Sequence, residues 1–165
     1  MFCEHVQPVA SISSAGEAVA DPDALTARIY PLDPPAWGMQ AVNGAILDGK
    51  DGAAFRLPGF GPDGIAAFRA RAPDTPFGMV IDGYIALRAR TGLLTLRTRA
   101  PHEMLVGGVR LQPRGPAQGP AVRLGAGIYG LDLTLCLRPR DPLPLLTFAG
   151  RTIQSRDCFQ TLPGW

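Results

Sequence analysis

Ile128-Tyr129-Gly130-Leu131-Asp132-Leu133-Thr134-Leu135-Cys136-Leu137-Arg138 is the stretch whose reading decides the fold class. Tyr129, Leu131, Leu133, Leu135 and Leu137 alternate strictly with Ile128, Gly130, Asp132, Thr134, Cys136 and Arg138. A period of two sends these rows to opposite sides of an extended chain. The segment is predicted as a half-buried strand, with an apolar row on a core and a mixed row toward water or a partner.

Upstream, residues 84–90 and 93–99 repeat the alternation on either side of Thr91-Gly92. A two-residue connection ending in glycine predicts a β-hairpin. With Arg90 opposite Leu93, the pleat gathers Tyr84, Arg88, Arg90, Arg97 and Arg99 on one face and leaves Ile85, Leu87, Ala89, Leu94, Leu96 and Thr98 on the other. A slip of one residue would bury the arginines, so the register is strongly specified.

Shorter strands are predicted at residues 25–30, 41–47, 53–57, 104–111, 121–124, 145–149 and 152–154. Residues 65–71 are read as a strand, with two helical turns capped by Asp63 as the alternative. Pro113 to Pro120, with three prolines and two glycines, is a projecting loop. Strands this short, spaced by turn residues, predict an all-β single domain over residues 1–165, a β-sandwich or jelly-roll-like fold with Gly/Pro-rich loops. Residues 1–24 are expected as an extended N-terminal arm and 155–165 as an extended C-terminal tail.

Composition agrees. The 165 residues, 46% of them hydrophobic, can bury one core. Glycine (20) and proline (17) are nearly twice as frequent as usual, which excludes a helical bundle or coiled coil. A mean hydropathy of +0.09 and a net charge of +2 exclude a disordered chain. No apolar window is long enough for a transmembrane helix, so no membrane partner is expected.

The charge is unevenly laid out. Residues 1–65 hold three basic groups against eight acidic ones, and residues 66–165 hold thirteen against six. Seven arginines and a single acid, Glu103, fall between Tyr84 and Arg123. Cys3, Cys136 and Cys158 form no C-x-x-C pair and are read as reduced thiols. Together with Glu4 and His5 where a signal peptide carries basic residues, they predict cytoplasmic synthesis without a signal peptide.

The motifs with chemical content read as structural. Gly125-Ala126-Gly127-Ile128-Tyr129-Gly130 matches G-x-G-x-x-G, but a period-two run follows it in place of the helix a pyrophosphate site requires, so it is taken as a glycine-rich turn. Asp48-Gly49-Lys50-Asp51-Gly52 lacks the donor number of a calcium loop and is taken as a turn between strands, as is Asp63-Gly64. Cys3 and His5 could join Cys158 or His102 around zinc, but no second close ligand pair exists. Cys136, Cys158 or Ser155 beside His102 and Glu103 are the conceivable catalytic pairs, and no nucleophile elbow supports them. No catalytic, cofactor or metal residues are assigned, and no enzymatic activity is expected.

The arginine face remains. Like charges on neighbouring strands repel, and an opposite charge should meet them. The leading expectation is a non-enzymatic assembly subunit, a head, tail or spike accessory protein of a phage-like particle, contacting other copies or other protein subunits through Tyr84, Arg88, Arg90, Arg97 and Arg99. The alternative is a soluble recognition or inhibitor module that grips an acidic protein or polyanion with the same residues. One tyrosine is too little aromatic surface for a nucleic-acid platform, so nucleic acid is not the expected polyanion.

Overall fold

The computed structural model describes residues 6–11, 24–48, 52–115 and 118–160. Its elements are β1 (Leu25–Pro31), α1 (Met39–Leu47), β2 (Ala53–Leu57), α2 (Pro62–Arg71), β3 (Phe77–Arg97), β4 (His102–Val106), β5 (Val109–Leu111), β6 (Ala121–Leu137), β7 (Leu145–Phe148), β8 (Arg151–Thr152), a 3-10 turn (Ser155–Asp157) and β9 (Cys158–Phe159). The strands form one antiparallel sheet of order β2-β1-β3-β6-β4-β5. The far edge of β3 also takes up β9 at Tyr84 and Ile85, and β7 from Leu94 to Arg97. No helix among the described residues is long and apolar enough to cross a membrane.

The decisive strand forms as its alternation requires. Leu131, Leu133, Leu135 and Leu137 of β6 are buried with Tyr129 against Phe77, Met79, Ile81, Ile85, Leu87, Leu94 and Leu96 of β3. The hairpin does not form. Residues 84–97 belong to a 21-residue strand, β3, that runs through Thr91-Gly92 and pairs with β6 from Phe77↔Leu137 to Thr95↔Ala121, and residues 98 and 99 follow its end. Gly92 is there for space rather than for a turn, since a Cβ at this position would lie 2.8 Å from Ala149 Cβ.

A straight β3 would span about 70 Å, at roughly 3.3 Å per residue, against a diameter of roughly 40 Å for a compact domain of this length. The β3–β6 ribbon must therefore bend. The ladder shifts between Leu87↔Gly127 and Thr91↔Gly125, so that Arg88, Ala89 and Arg90 face the single residue Ala126. The β3 residues in the main core are odd-numbered up to Leu87 and even-numbered from Leu94, as an irregularity that changes the side-chain phase demands. The Gly125 to Gly130 run is thus part of a strand at the bend, not a turn. Gly127 (φ +156°) leaves room for Pro8, whose Cβ would stand 2.6 Å from a Cβ there, and Ile128 bridges Ala10.

Two segments expected as strands are helices, so the fold is mostly rather than wholly β. Residues 39–47 form α1 because Ala41, Val42, Ala45 and Ile46 recur at helical spacing and pack with Leu32 and Cys136 on the outer side of the ribbon. Gly78 makes the seat, with Val42 lying over it. Residues 62–71 form α2, with Pro62 at its start, Asp63 in the first turn and Phe68 in the main core. Gly61, not Asp63, is its N-cap. Asp48 ends α1, so the 48–52 segment leads from a helix to a strand; Gly49, Lys50 and Asp51 lie outside the described residues. Residues 104–111 split into β4 and β5 about Gly107-Gly108, both at positive φ. Of the expected C-terminal tail, residues 155–157 make the 3-10 turn and 158–159 make β9.

Candidate ligand-binding groove

The bend brings the two ends of the ribbon together. Leu137 pairs with Phe77, twenty residues along β3 from Arg97, yet both Leu137 and Arg97 line one groove of about 760 Å³. The segment from Arg97 to Pro101 spans at most about 14 Å, and Pro101 O accepts a hydrogen bond from Cys136 N (3.0 Å). Residues 98–101 therefore cross from one limb of the folded ribbon to the other. Along this crossing lie Arg97, Thr98 and Arg99, and the groove is also lined by Trp37, Arg114 and Arg138.

Each of these last three side chains is placed by local geometry. Trp37 precedes Gly38 (φ +100°), whose N–H donates to Cys136 Sγ (3.3 Å), and packs on the cluster under α1. The Arg138 guanidinium carbon stands 4.2 Å from the centre of the Trp37 ring, a close cation–π contact. Its backbone N–H donates to Asp141 Oδ2 (2.8 Å), so the one carboxylate that lines the groove among the described residues helps to close the turn after β6. Arg114 donates Nε to Gly119 O (2.9 Å), and Gly119 lies so close to Leu96 O that a Cβ there would come to 2.2 Å.

The five residues expected on one face are dispersed. Arg88 donates Nε to Asp157 Oδ1 (3.0 Å) and Nη2 to Arg156 O (3.1 Å), which ties it to the C-terminal turn of its own chain. Arg88 and Arg90 sit at the bend, Tyr84 lies further back beside Ala86 and Phe159, and Arg97 and Arg99 stand at the groove. In a hairpin, residues 88 and 97 would be near neighbours; on one strand they are about 30 Å apart along the chain. No local pattern in the sequence links Trp37, Arg114 and Arg138 to residues 97–99.

A second feature also escaped the sequence reading. Asp82 of β3 and Asp132 of β6 are directly opposite each other on the outer side of the ribbon. Partial burial raises the pKa of Asp82, with Arg28 opposing, and that of Asp132 is raised by partial burial and then by Asp82. Their separation in sequence hides the pair until the register is known.

His102 and Cys136 are not brought together as a catalytic pair. His102 is opposite Leu135 in the β4–β6 ladder, so the adjacent Cys136 points to the other face. Burial raises the Cys136 thiol pKa, which keeps it protonated. Cys158 Sγ donates to Gln154 O (3.2 Å). Among the described residues no group of three or more His, Cys, Asp or Glu is gathered as a metal site, and Cys3 and His5 lie outside them.

No family model matches this sequence, and no curated protein matches it. Solved structures do. The PA14 domain of the MpAFP antifreeze protein superposes with a TM-score of 0.54 at 13% identity, covering 88% of this chain and 95% of that one. A PA14 sugar-binding domain from an RTX adhesin gives 0.55 at 12% identity, covering 86% and 99%. The fold is a PA14-like β-sandwich. This likeness overturns the expectation of a structural or virion subunit of a phage-like particle, whose physical basis, the arginine hairpin, is also absent.

Proposed function

We propose that the chain is a carbohydrate-recognition module and that saccharide binds in the groove between the two ends of the ribbon. The observation that carries the reading is the groove's make-up on a PA14-like sandwich: the Trp37 ring with Arg138 over it, beside Arg97, Thr98, Arg99 and Arg114. Saccharides present an apolar ring face and a rim of hydroxyls. A flat platform covers the first, and clustered hydrogen-bond donors meet the second. The volume falls in the range of small-ligand sites, enough for a short oligosaccharide. The role is binding rather than bond cleavage, in keeping with the recognition alternative drawn from the sequence.

The test is calorimetric titration of the whole chain with a panel of oligosaccharides, repeated on Trp37→Ala. Binding weakened about tenfold by the loss of the platform supports the reading. Absence of binding to every saccharide tested overturns it, and binding unaffected by Trp37→Ala moves the site elsewhere.

A further inference from the structure

We infer that the saccharide this groove selects is acidic, carrying carboxylate or sulfate groups that the groove arginines engage; this rests on the carbohydrate reading above. Among the described residues, four guanidinium groups, from Arg97, Arg99, Arg114 and Arg138, line the groove against one carboxylate, Asp141. None of the four makes a salt bridge to a carboxylate among the described residues. Arg88 shows the contrast, because its own chain supplies Asp157 as counter-charge.

The way two of the groove arginines are held points the same way. Arg138 is positioned by the Trp37 ring, a cation–π contact that takes up no oxygen acceptor, and its guanidinium N–H groups make no hydrogen bond to a carboxylate among the described residues. Arg114 is anchored through Nε to a backbone carbonyl, which leaves its terminal nitrogens for another acceptor. Guanidinium groups fixed without a protein carboxylate are suited to bidentate hydrogen bonds with planar or tetrahedral oxyanions. Neutral hydroxyls could use the same donors, but they would not offset the mutual repulsion of four cations around one groove. The Trp37–Arg138 surface favours a ring-bearing anion over a bare phosphate chain.

The experiment is a glycan array probed with the whole chain, in which uronate and sulfated oligosaccharides are printed beside their neutral parents, followed by titration of the best acidic ligand. Acidic glycans should bind at least about tenfold more tightly than their parents, with affinity falling as salt rises. Arg97→Gln with Arg99→Gln should remove about tenfold or more, whereas Arg151→Gln, on a different cavity, should change nothing. An unaltered near-ultraviolet circular dichroism spectrum and melting temperature of the double variant separate lost binding from lost folding. Equal binding of neutral parents, or acidic binding that survives the double variant, overturns the inference and leaves the carbohydrate reading standing. No binding to any glycan overturns both. Competition by inorganic tripolyphosphate at equal concentration removes the sugar part of the inference and leaves a general polyanion site.

Discussion

Gly78→Ala tests the seat of α1, the helix that follows Trp37 and shares its apolar cluster. The new Cβ would lie 2.6 Å from Val42 Cγ1 and 3.0 Å from Cγ2. Valine on a helix has essentially one side-chain rotamer, so the methyls cannot swing away and the helix must move. Overpacking of this kind costs roughly 1–3 kcal/mol, and the loss of glycine's freedom in the unfolded chain returns about 0.5–1 kcal/mol. The net expectation is a loss of about 1–2 kcal/mol, or roughly 2–8 °C in melting temperature. Val42 is fully buried, and Val42→Ala alone should cost about 2 kcal/mol through lost burial and the cavity left behind. The double variant removes the clash and fills part of the cavity. It should lose only about 1 kcal/mol, well short of the combined single effects. Urea unfolding of the four proteins with a common m-value reads the coupling. Additive losses would refute the proposition that these two side chains hold the helix in place.

Asp132→Asn removes one of two facing carboxylates and should stabilise the fold by about 0.2–1 kcal/mol at pH 7. Because both folded-state pKa values are raised, the native protein holds protons more tightly than the unfolded chain. Wild-type stability therefore falls as pH rises from the ordinary Asp value of 3.8 through the raised values, and the gain from Asn should vanish near pH 3 in paired urea titrations. Asp157→Ala should cost about 2 kcal/mol, because the carboxylate binds Arg88 and caps the Gln154 N–H (3.1 Å), and amide exchange across residues 155–159 should accelerate. Cys136, buried and with a raised pKa, should resist iodoacetamide at pH 7.5 until urea unfolds the chain, as peptide mapping would show; rapid native labelling would contradict its placement under α1.

Where the sequence was legible, one physical pattern acted alone. The leucines of β6 alternate over a long run with nothing competing, and they are the core. The Ala41 to Leu47 run was misread because seven mostly apolar residues suit either a strand or a helix until Val42 is seen over Gly78. Thr91-Gly92 has the composition of a turn, but its glycine answers to Ala149, a contact made more than fifty residues later. Of the groove, Arg97 and Arg99 were singled out from local alternation. Trp37, Arg114 and Arg138 were not, since the fold of the ribbon upon itself, rather than any spacing in the chain, makes them neighbours.

The ribbon also sets a timetable for synthesis. Phe77 at the start of β3 pairs with Leu137, about sixty residues later, so at roughly 5–20 residues per second the new strand waits several seconds on the ribosome for its mate. For that interval a long apolar strand has an unpaired edge, the kind of surface that templates aggregation. Arg88, Arg90 and Arg97 punctuate its second half, and charges so placed act as gatekeepers against premature self-association. Part of the arginine content thus guards the nascent chain before any ligand is met.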